Sequence, residues 1–267
     1  MLFLNLHIHS VFSDGTLEPE EIFKRGISEG LELISITDHD TIDAWLNFVP
    51  AKTKTLKYIT GLEINTNFHD NFHILGYGID IDNKFLLGKL EEYRSRRTER
   101  IRRMVLLLQK ENVRIDLADI KPKGKSIGRP HVADALTAKG LFKDRKSAFF
   151  AYLAPGRPAY VPSMGPSPRE AIEVIKRAGG LAVLAHPGLV RNIVDIAKLK
   201  DMGLDGVEAF YPTHSHILVK ELIDIARKLN LIITGGTDFH GPGSGRNEFY
   251  GYGIKKDFLG RLFERAL

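Results

Sequence analysis

The chain has 267 residues, 43% hydrophobic and 27% charged, with a formal net charge of +5, a composition suited to one α/β barrel or one domain plus an insertion. No cysteine is present, which excludes disulfides, thiolate metal ligands and cysteine nucleophiles and leaves nitrogen and oxygen as the metal donors. No apolar run reaches the roughly 20 residues of a membrane helix, and the modest basic bias is compatible with a phosphorylated ligand without being evidence for one.

In chain order, residues 3–7 form a first strand, whose apolar start breaks at Asn5 and His7 rather than continuing as a signal peptide, so a cytoplasmic protein is expected. A helix is predicted over 17–29, with an acidic first turn carrying Pro19. A strand over 31–37, a short helix over 41–48 and strands over 58–65 and 72–77 follow. Residues 83–109 read as one long basic helix containing Arg94, Arg96, Arg97, Arg100, Arg102 and Arg103. From 111 to 166 strands disappear: there is a Lys121-Pro122-Lys123-Gly124-Lys125 run, a helix over 131–139 and a Pro/Gly-rich stretch. Helices over 168–178, 193–202, 217–229 and 258–265 then alternate with strands over 181–184, 206–209 and 231–234. Alternation with short links means a parallel sheet, open or closed. Residues 1–89 and 166–267 are therefore assigned to the α/β body, and 90–165 to an all-helical insertion.

Histidines and carboxylates gather where these strands end. His7-Ile8-His9 precedes Asp14, and strand alternation sets the two rings on one side with Cα atoms about 7 Å apart, close enough to share an ion. Thr37-Asp38-His39-Asp40, Gly61-Leu62-Glu63, His73, Ala185-His186-Pro187 and Gly236-Thr237-Asp238-Phe239-His240 repeat the theme. A lone strand histidine is usually a hydrogen-bonded core residue, and Asp14 alone would be a turn residue. A bland explanation for every cluster at once is far less economical than a metal site where the strand ends converge. Asp38 and Asp40 are expected to orient a ligand or cap a helix, and His131, after Gly128-Arg129-Pro130, to sit at a helix start suited to an anion. His69 falls in a polar turn, and His214 and His216 at a surface helix start.

These motifs, together with His73-x-Leu75-Gly76, resemble the PHP (polymerase and histidinol phosphatase) superfamily across the whole chain, insertion included. The resemblance is closest to stand-alone PHP phosphoesterases acting on nucleoside 3′,5′-bisphosphates and short RNA 5′ ends. It implies a distorted (β/α)7 barrel, similar to a TIM barrel, and three divalent metal ions, manganese first and iron or zinc as alternatives. It places His7, His9, Glu63 and Asp238 on one ion, Asp14, His39 and His240 on a second, and Glu63, His73 and His186 on a third, with these nine residues as the catalytic set.

Adjacent divalent ions suit phosphate ester hydrolysis, activating a shared water as hydroxide and neutralising the phosphoryl oxygens. Planar arginines would hold the rest of the substrate, and Arg97, Arg100 and Arg129 are the candidates, the remaining helix arginines forming a solvated face. The expected function is a nucleoside 3′,5′-bisphosphate 3′-phosphatase, a 5′→3′ exonuclease on short RNA, or both, with nucleotide or RNA as the partner and no membrane or obligate protein partner. A histidinol-phosphate phosphatase and a non-catalytic PHP module are the alternatives. The basic insertion weighs against the first, and the complete ligand set against the second.

Overall fold

The computed structural model describes residues 1–50, 55–190 and 194–266. Among the described residues nine strands form two sheets. The first runs β3 (Lys57–Tyr58), β2 (Leu33–Ile34), β1 (Leu2–Asn5), β9 (Tyr252–Ile254); the second runs β4 (Gly61–Asn65), β5 (His73–Tyr77), β6 (Leu181–Leu184), β7 (Gly206–Phe210), β8 (Ile232–Gly235). This corrects the wholly parallel expectation. β5 runs antiparallel to both β4 and β6, and β9 antiparallel to β1. The reason is local: residues 66–72 join β4 to β5 without a helix, and a parallel neighbour needs a longer crossover.

No closed barrel is detected among the described residues, but isolated bridges link the two sheets on both sides. Ile8 pairs with Phe239, and His39 with Glu63. The fold is mixed α/β, with helices α1 (Pro19–Ser28), α2 (Asp43–Asn47), α3 (Lys84–Lys110), α4 (Arg129–Ala138), α5 (Arg145–Ala148), α6 (Pro168–Arg177), α7 (Ile196–Asp201), α8 (His216–Lys228) and α9 (Lys256–Leu259). The helix predicted from residue 193 starts at Ile196, residue 193 itself lying outside the described residues. The helix predicted over 258–265 is a short α turn followed by a 3₁₀ turn, broken at Gly260.

Local chemistry explains most of these boundaries. Side chains of Asn83, Ser167 and Ser215 accept backbone N–H bonds from Leu86, Glu170 and Leu218 at the starts of α3, α6 and α8, satisfying donors that a helix start leaves free. At the end of α6, Gly179 is left-handed and donates to Lys176 O while Gly180 donates to Ile175 O.

Three apolar clusters divide the work. One lies between sheets and helices and includes Ile22, Trp45, Leu62, Ile74, Leu90 and Ile175. A second fills the inner faces of the strands with Leu4, Leu6, Leu75, Tyr77, Leu181 and Val183. Because side chains alternate along a strand, His73 projects from β5 on the same side as Leu75 and Tyr77, and Glu63, paired with Leu75, shares that side. The second cluster is thus the floor beneath these polar groups. The third cluster, with Ile101, Met104, Leu108, Val132, Leu136 and Leu153, belongs to residues 101–161. Helix α3 is rooted in two of them: Leu86, Leu90 and Tyr93 pack in the first, and Ile101 to Leu108 in the third.

Candidate metal centre

The backbone converges before the side chains do. Beyond β1, Leu6 and His9 donate to Gly235 O and Phe239 O, and Phe239 returns a bond to His7 O, so residues 6–9 lie against the extension of β8. That approach needs Gly236, where a Cβ would stand 2.3 Å from His7 Cβ and 2.5 Å from its backbone nitrogen. Three non-glycine residues at strand ends, Asp40, His186 and Asp238, have φ of 51°, 29° and 53°, a region costly for side-chain-bearing residues and concentrated at functional sites.

His7 Nε2 and His9 Nε2 lie 3.3 and 3.2 Å from Glu63 Oε2, and 3.4 and 3.2 Å from Asp238 Oδ1. All four atoms are buried and lack a hydrogen-bond partner, a costly arrangement unless something else satisfies them. A shell with metal–donor distances of about 2.0–2.2 Å has edges of roughly 2.9–3.6 Å for octahedral to tetrahedral angles. The four atoms are therefore spaced as ligands of one cation, and the residues present fit the group.

Asp14, His39 and His240 also come together, joined by His9, with donor atoms all within 4.8 Å of one another. His240 Nδ1 meets Asp238 O at 2.8 Å, turning Nε2 to Asp14 Oδ1 at 3.3 Å. A third group combines His39, Glu63 and His73. His73 Nε2 meets Asp70 O at 2.8 Å while Nδ1 stands 2.8 Å from Glu63 Oε1. His73 thus sets both ring nitrogens against oxygen atoms, one of them in the carboxylate that also faces His7 and His9. His186 Nε2 meets the same Glu63 Oε1 at 3.1 Å, so His73 and His186 both face that oxygen, with His39 on the other.

Burial and charge set the protonation of these groups. Burial alone would lower His9, but Asp238 and Glu63 overcome it and raise the ring to about 9. His7 is likewise held well above its ordinary value, with Glu208, Glu63 and Asp238 outweighing desolvation. Burial pushes His39 down to about 3, leaving it neutral. Burial would raise Asp14, but His240 and His39 draw it well below the usual carboxylate range.

Several residues around the centre escaped the sequence reading. Glu208, on β7, is completely buried; it accepts from His7 Nδ1 at 3.0 Å and from the His186 backbone N–H at 2.8 Å. Tyr211 and Arg246 both donate to Asp238 Oδ2, at 3.0 and 2.5 Å. A glutamate inside the apolar strand Gly206-Val207-Glu208-Ala209-Phe210 was a readable signal, because a buried carboxylate demands partners. Arg246, in a glycine-rich loop, gave none.

The arginine candidates are engaged at the rim. Arg97 bonds Asp40 at 2.8 Å and Ile127 O at 2.7 Å; Arg100 and Arg129 bond the two oxygens of Asp70, at 2.9 and 2.8 Å. Arg94, Arg102 and Arg103 pair with Glu91 and Glu99 on the same helix, and Arg96 with Glu92; Arg102 and Arg103 are more than half exposed, whereas Arg94 is largely buried. Asp38 does not orient His39; it accepts from Ser10 N–H, Ser10 Oγ and Ser13 Oγ and so fixes the turn that presents Asp14. Asp40 accepts from Arg97 and the Asn65 N–H instead of capping a helix. His131 Nδ1 accepts from the Gly128 N–H, so part of that helix start is already satisfied. His69 accepts from the Asn71 N–H, and His214 accepts from Gly188 N–H and faces Ala209 O.

Residues 5–118 match the PHP domain. The 3′,5′-nucleoside bisphosphate phosphatase of Chromobacterium violaceum is 31% identical over 252 residues, covering 91% of this chain and 88% of the relative. The chain belongs to the PHP family. Another relative, the 5′-3′ exoribonuclease Rnm of Escherichia coli, is 31% identical over 89% of this chain and 85% of its own length. A solved structure from Bifidobacterium adolescentis, described as a metal-dependent phosphoesterase, shares 30% identity and a TM-score of 0.84 over 99% of this PHP chain and 96% of that one. A second, called an amidohydrolase, comes from Chromobacterium violaceum and holds sulfate without metal. It has 29% identity and a TM-score of 0.85 over 99% and 97% of the two chains. No helix among the described residues is long and apolar enough to cross a membrane.

Proposed function

We propose that this PHP protein is a metal-dependent phosphoesterase of nucleotides, acting as a 3′-phosphatase on nucleoside 3′,5′-bisphosphates, as a 5′→3′ exonuclease on short RNA, or on both. The observation that carries the reading is the set of four orphaned donor atoms of His7, His9, Glu63 and Asp238 at coordination spacing. An arginine set lies next to it. The relatives named above, a nucleoside bisphosphate phosphatase and an exoribonuclease, supply the substrate class.

Three divalent ions, with manganese preferred, would be held by His7, His9, Asp14, His39, Glu63, His73, His186, Asp238 and His240. Bound there, they would supply an activated water and neutralise charge on the phosphoryl group. Grouping by proximity supports His9 as common to the first and second sets and Glu63 to the first and third. A distorted (β/α)7 barrel completes the proposal, supported by the Ile8–Phe239 and His39–Glu63 bridges.

The chain's own residues do the positioning. Glu208 holds His7 Nδ1–H so that Nε2 faces the centre, and Tyr211 and Arg246 turn Asp238 Oδ1 the same way. Burial and Asp238 raise the Tyr211 phenol, so it remains a donor. Arg97, Arg100 and Arg129 would hold the phosphate that is not cleaved, and the side chains of Arg100 and Arg129, only 11% and 14% exposed, sit in the partly desolvated setting that strengthens such pairs.

The test is turnover by the purified protein with manganese on a nucleoside 3′,5′-bisphosphate, 5′-phosphorylated short RNAs and histidinol phosphate. Turnover of the first two is expected. Preference for histidinol phosphate would replace the reading, and absence of turnover on all three would return the chain to a binding module.

A further inference from the structure

Arg246 is placed where a cation is hardest to justify. Its guanidinium touches Asp238 Oδ2 at 2.5 Å, while Asp238 Oδ1 faces the first set of donors. A guanidinium beside a metal ligand opposes the loading of divalent cations, since like charges repel at short range. Tyr211, a neutral donor at 3.0 Å from the same oxygen, already orients the carboxylate without that cost.

The position is built, not incidental. Arg246 O accepts from the His240 N–H at 2.9 Å, and Arg246 N donates to Ser244 Oγ at 3.0 Å. Gly241, Gly243 and Gly245 all adopt left-handed φ, and a Cβ on Gly241 would stand 2.0 Å from Thr16 Oγ1. The Thr16 N–H in turn donates to His240 O at 2.9 Å, pinning the loop to the turn that carries Asp14. Yet the Arg246 side chain remains 44% exposed, whereas Asp238 is 1% exposed. Among the described residues Asp238 is the side-chain partner of this guanidinium, so most of its five N–H donors remain for a ligand arriving at the centre.

Its location separates it from the other arginines. From Arg246 the contacts run through Asp238 to His7 and His9, on to Glu63 and His73, then to Asp70, and end at Arg100 and Arg129. Arg246 and the Asp70 arginines therefore bracket the candidate metal centre from opposite ends of one contact chain. The Asp70 end suits a phosphate held away from the reaction, and the Asp238 end adjoins the first metal set itself.

We infer that Arg246 grips the phosphoryl group being cleaved, donating to its non-bridging oxygens. The inference rests on the phosphoesterase reading and deepens it: the negative charge of an arriving phosphoryl group offsets the repulsion that an adjacent guanidinium imposes, and fixed donors aimed at developing charge lower the barrier. Arg246 is thereby assigned to the reacting group and Arg129 to the spectator phosphate.

The experiment compares wild type, Arg246→Gln, Arg246→Lys and Arg129→Ala, all loaded with manganese. It measures metal content, the affinity for inorganic phosphate by calorimetry, and turnover of p-nitrophenyl phosphate and a nucleoside 3′,5′-bisphosphate. Arg246→Gln should keep the wild-type metal content and bind phosphate at least about tenfold more weakly. It should lose roughly 10²-fold or more in kcat on both esters, with Arg246→Lys recovering part of each. Reduced metal content with unchanged phosphate affinity per loaded site would overturn the inference, leaving Arg246 as a positioning residue for Asp238. Normal turnover, or a loss confined to the bisphosphate, would overturn it equally. A wild-type protein inactive on both esters would remove the phosphoesterase reading instead, and the phosphate affinities would still decide whether Arg246 meets the anion.

Discussion

His7 Nδ1 stands 3.0 Å from Glu208 Oε1, and both side chains are completely buried. The carboxylate accepts a hydrogen bond from Nδ1–H, so the lone pair of a neutral His7 lies on Nε2, the atom facing Glu63 and Asp238. Because Glu208 also accepts the His186 backbone N–H at 2.8 Å, glutamine cannot replace it cleanly: one of its two faces becomes a donor opposite a donor. Glu208→Gln should weaken manganese binding about 10–100-fold, read by competition with a chelator, while saturating manganese restores most of kcat. Unchanged metal affinity would reduce Glu208 to packing.

Metal removal should act on stability as well as activity. The carboxylates of Asp14, Glu63 and Asp238 are buried together, and cations bound only by the folded state stabilise it by mass action. At a hundredfold excess of manganese over its Kd, each independent site should add about 2.7 kcal/mol. EDTA should therefore abolish turnover and lower Tm by several degrees, with manganese reversing both. Elemental analysis finding less than one ion per chain after purification with manganese would sink the three-ion proposal.

His7→Ala and Asp238→Asn should bring turnover to background, since the first deletes one of four atoms at coordination spacing and the second turns an amide NH2 toward the centre while its oxygen stays with Tyr211 and Arg246. His69→Ala, whose ring accepts one bond from Asn71 N–H in an exposed turn, should leave kcat unchanged and shift stability by no more than about 0.5 kcal/mol. Similar losses in all three variants would mean that the nine residues are wrongly chosen.

Arg129→Ala should cost roughly 2–5 kcal/mol in transition-state binding for a bisphosphate or 5′-phosphorylated RNA, measured as kcat/KM. Turnover of p-nitrophenyl phosphate should fall far less, since that substrate has no second phosphate. Lysine should rescue only partly, lacking the planar fork that now reaches Asp70. Equal loss on both substrates would move Arg129 to the reacting group.

How much of this was legible in the sequence varies with the range of the interaction. Helix starts at Asn83, Ser167 and Ser215 were readable because a cap is a contact within three residues. The His7–His9 pair was readable because alternation fixes its facing. The antiparallel placement of β5 was written in the short helix-free link after β4, but strand–helix counting elsewhere outweighed it. The meeting of His39, His73 and His186 around Glu63 joins four segments distant in sequence, and no spacing rule reports that. The pairing of Arg100 and Arg129 on a single carboxylate joins α3 and α4 to the β4–β5 link. Sequence could nominate the arginines but not the aspartate that gathers them.

Helix α3 has 27 residues, about 40 Å of unbroken rod, footed in the core of the body at Leu86, Leu90 and Tyr93 and in the core of residues 101–161 at Ile101 to Leu108. A hinge in that rod would have to break helical hydrogen bonds, so any movement of the far end is that of a stiff cantilever, turning about its foot. Arg97 and Arg100 sit midway along it, between the two footings. A tilt at the tip would be geared down to a smaller displacement at these side chains, which would keep their reach to the rim of the centre nearly constant.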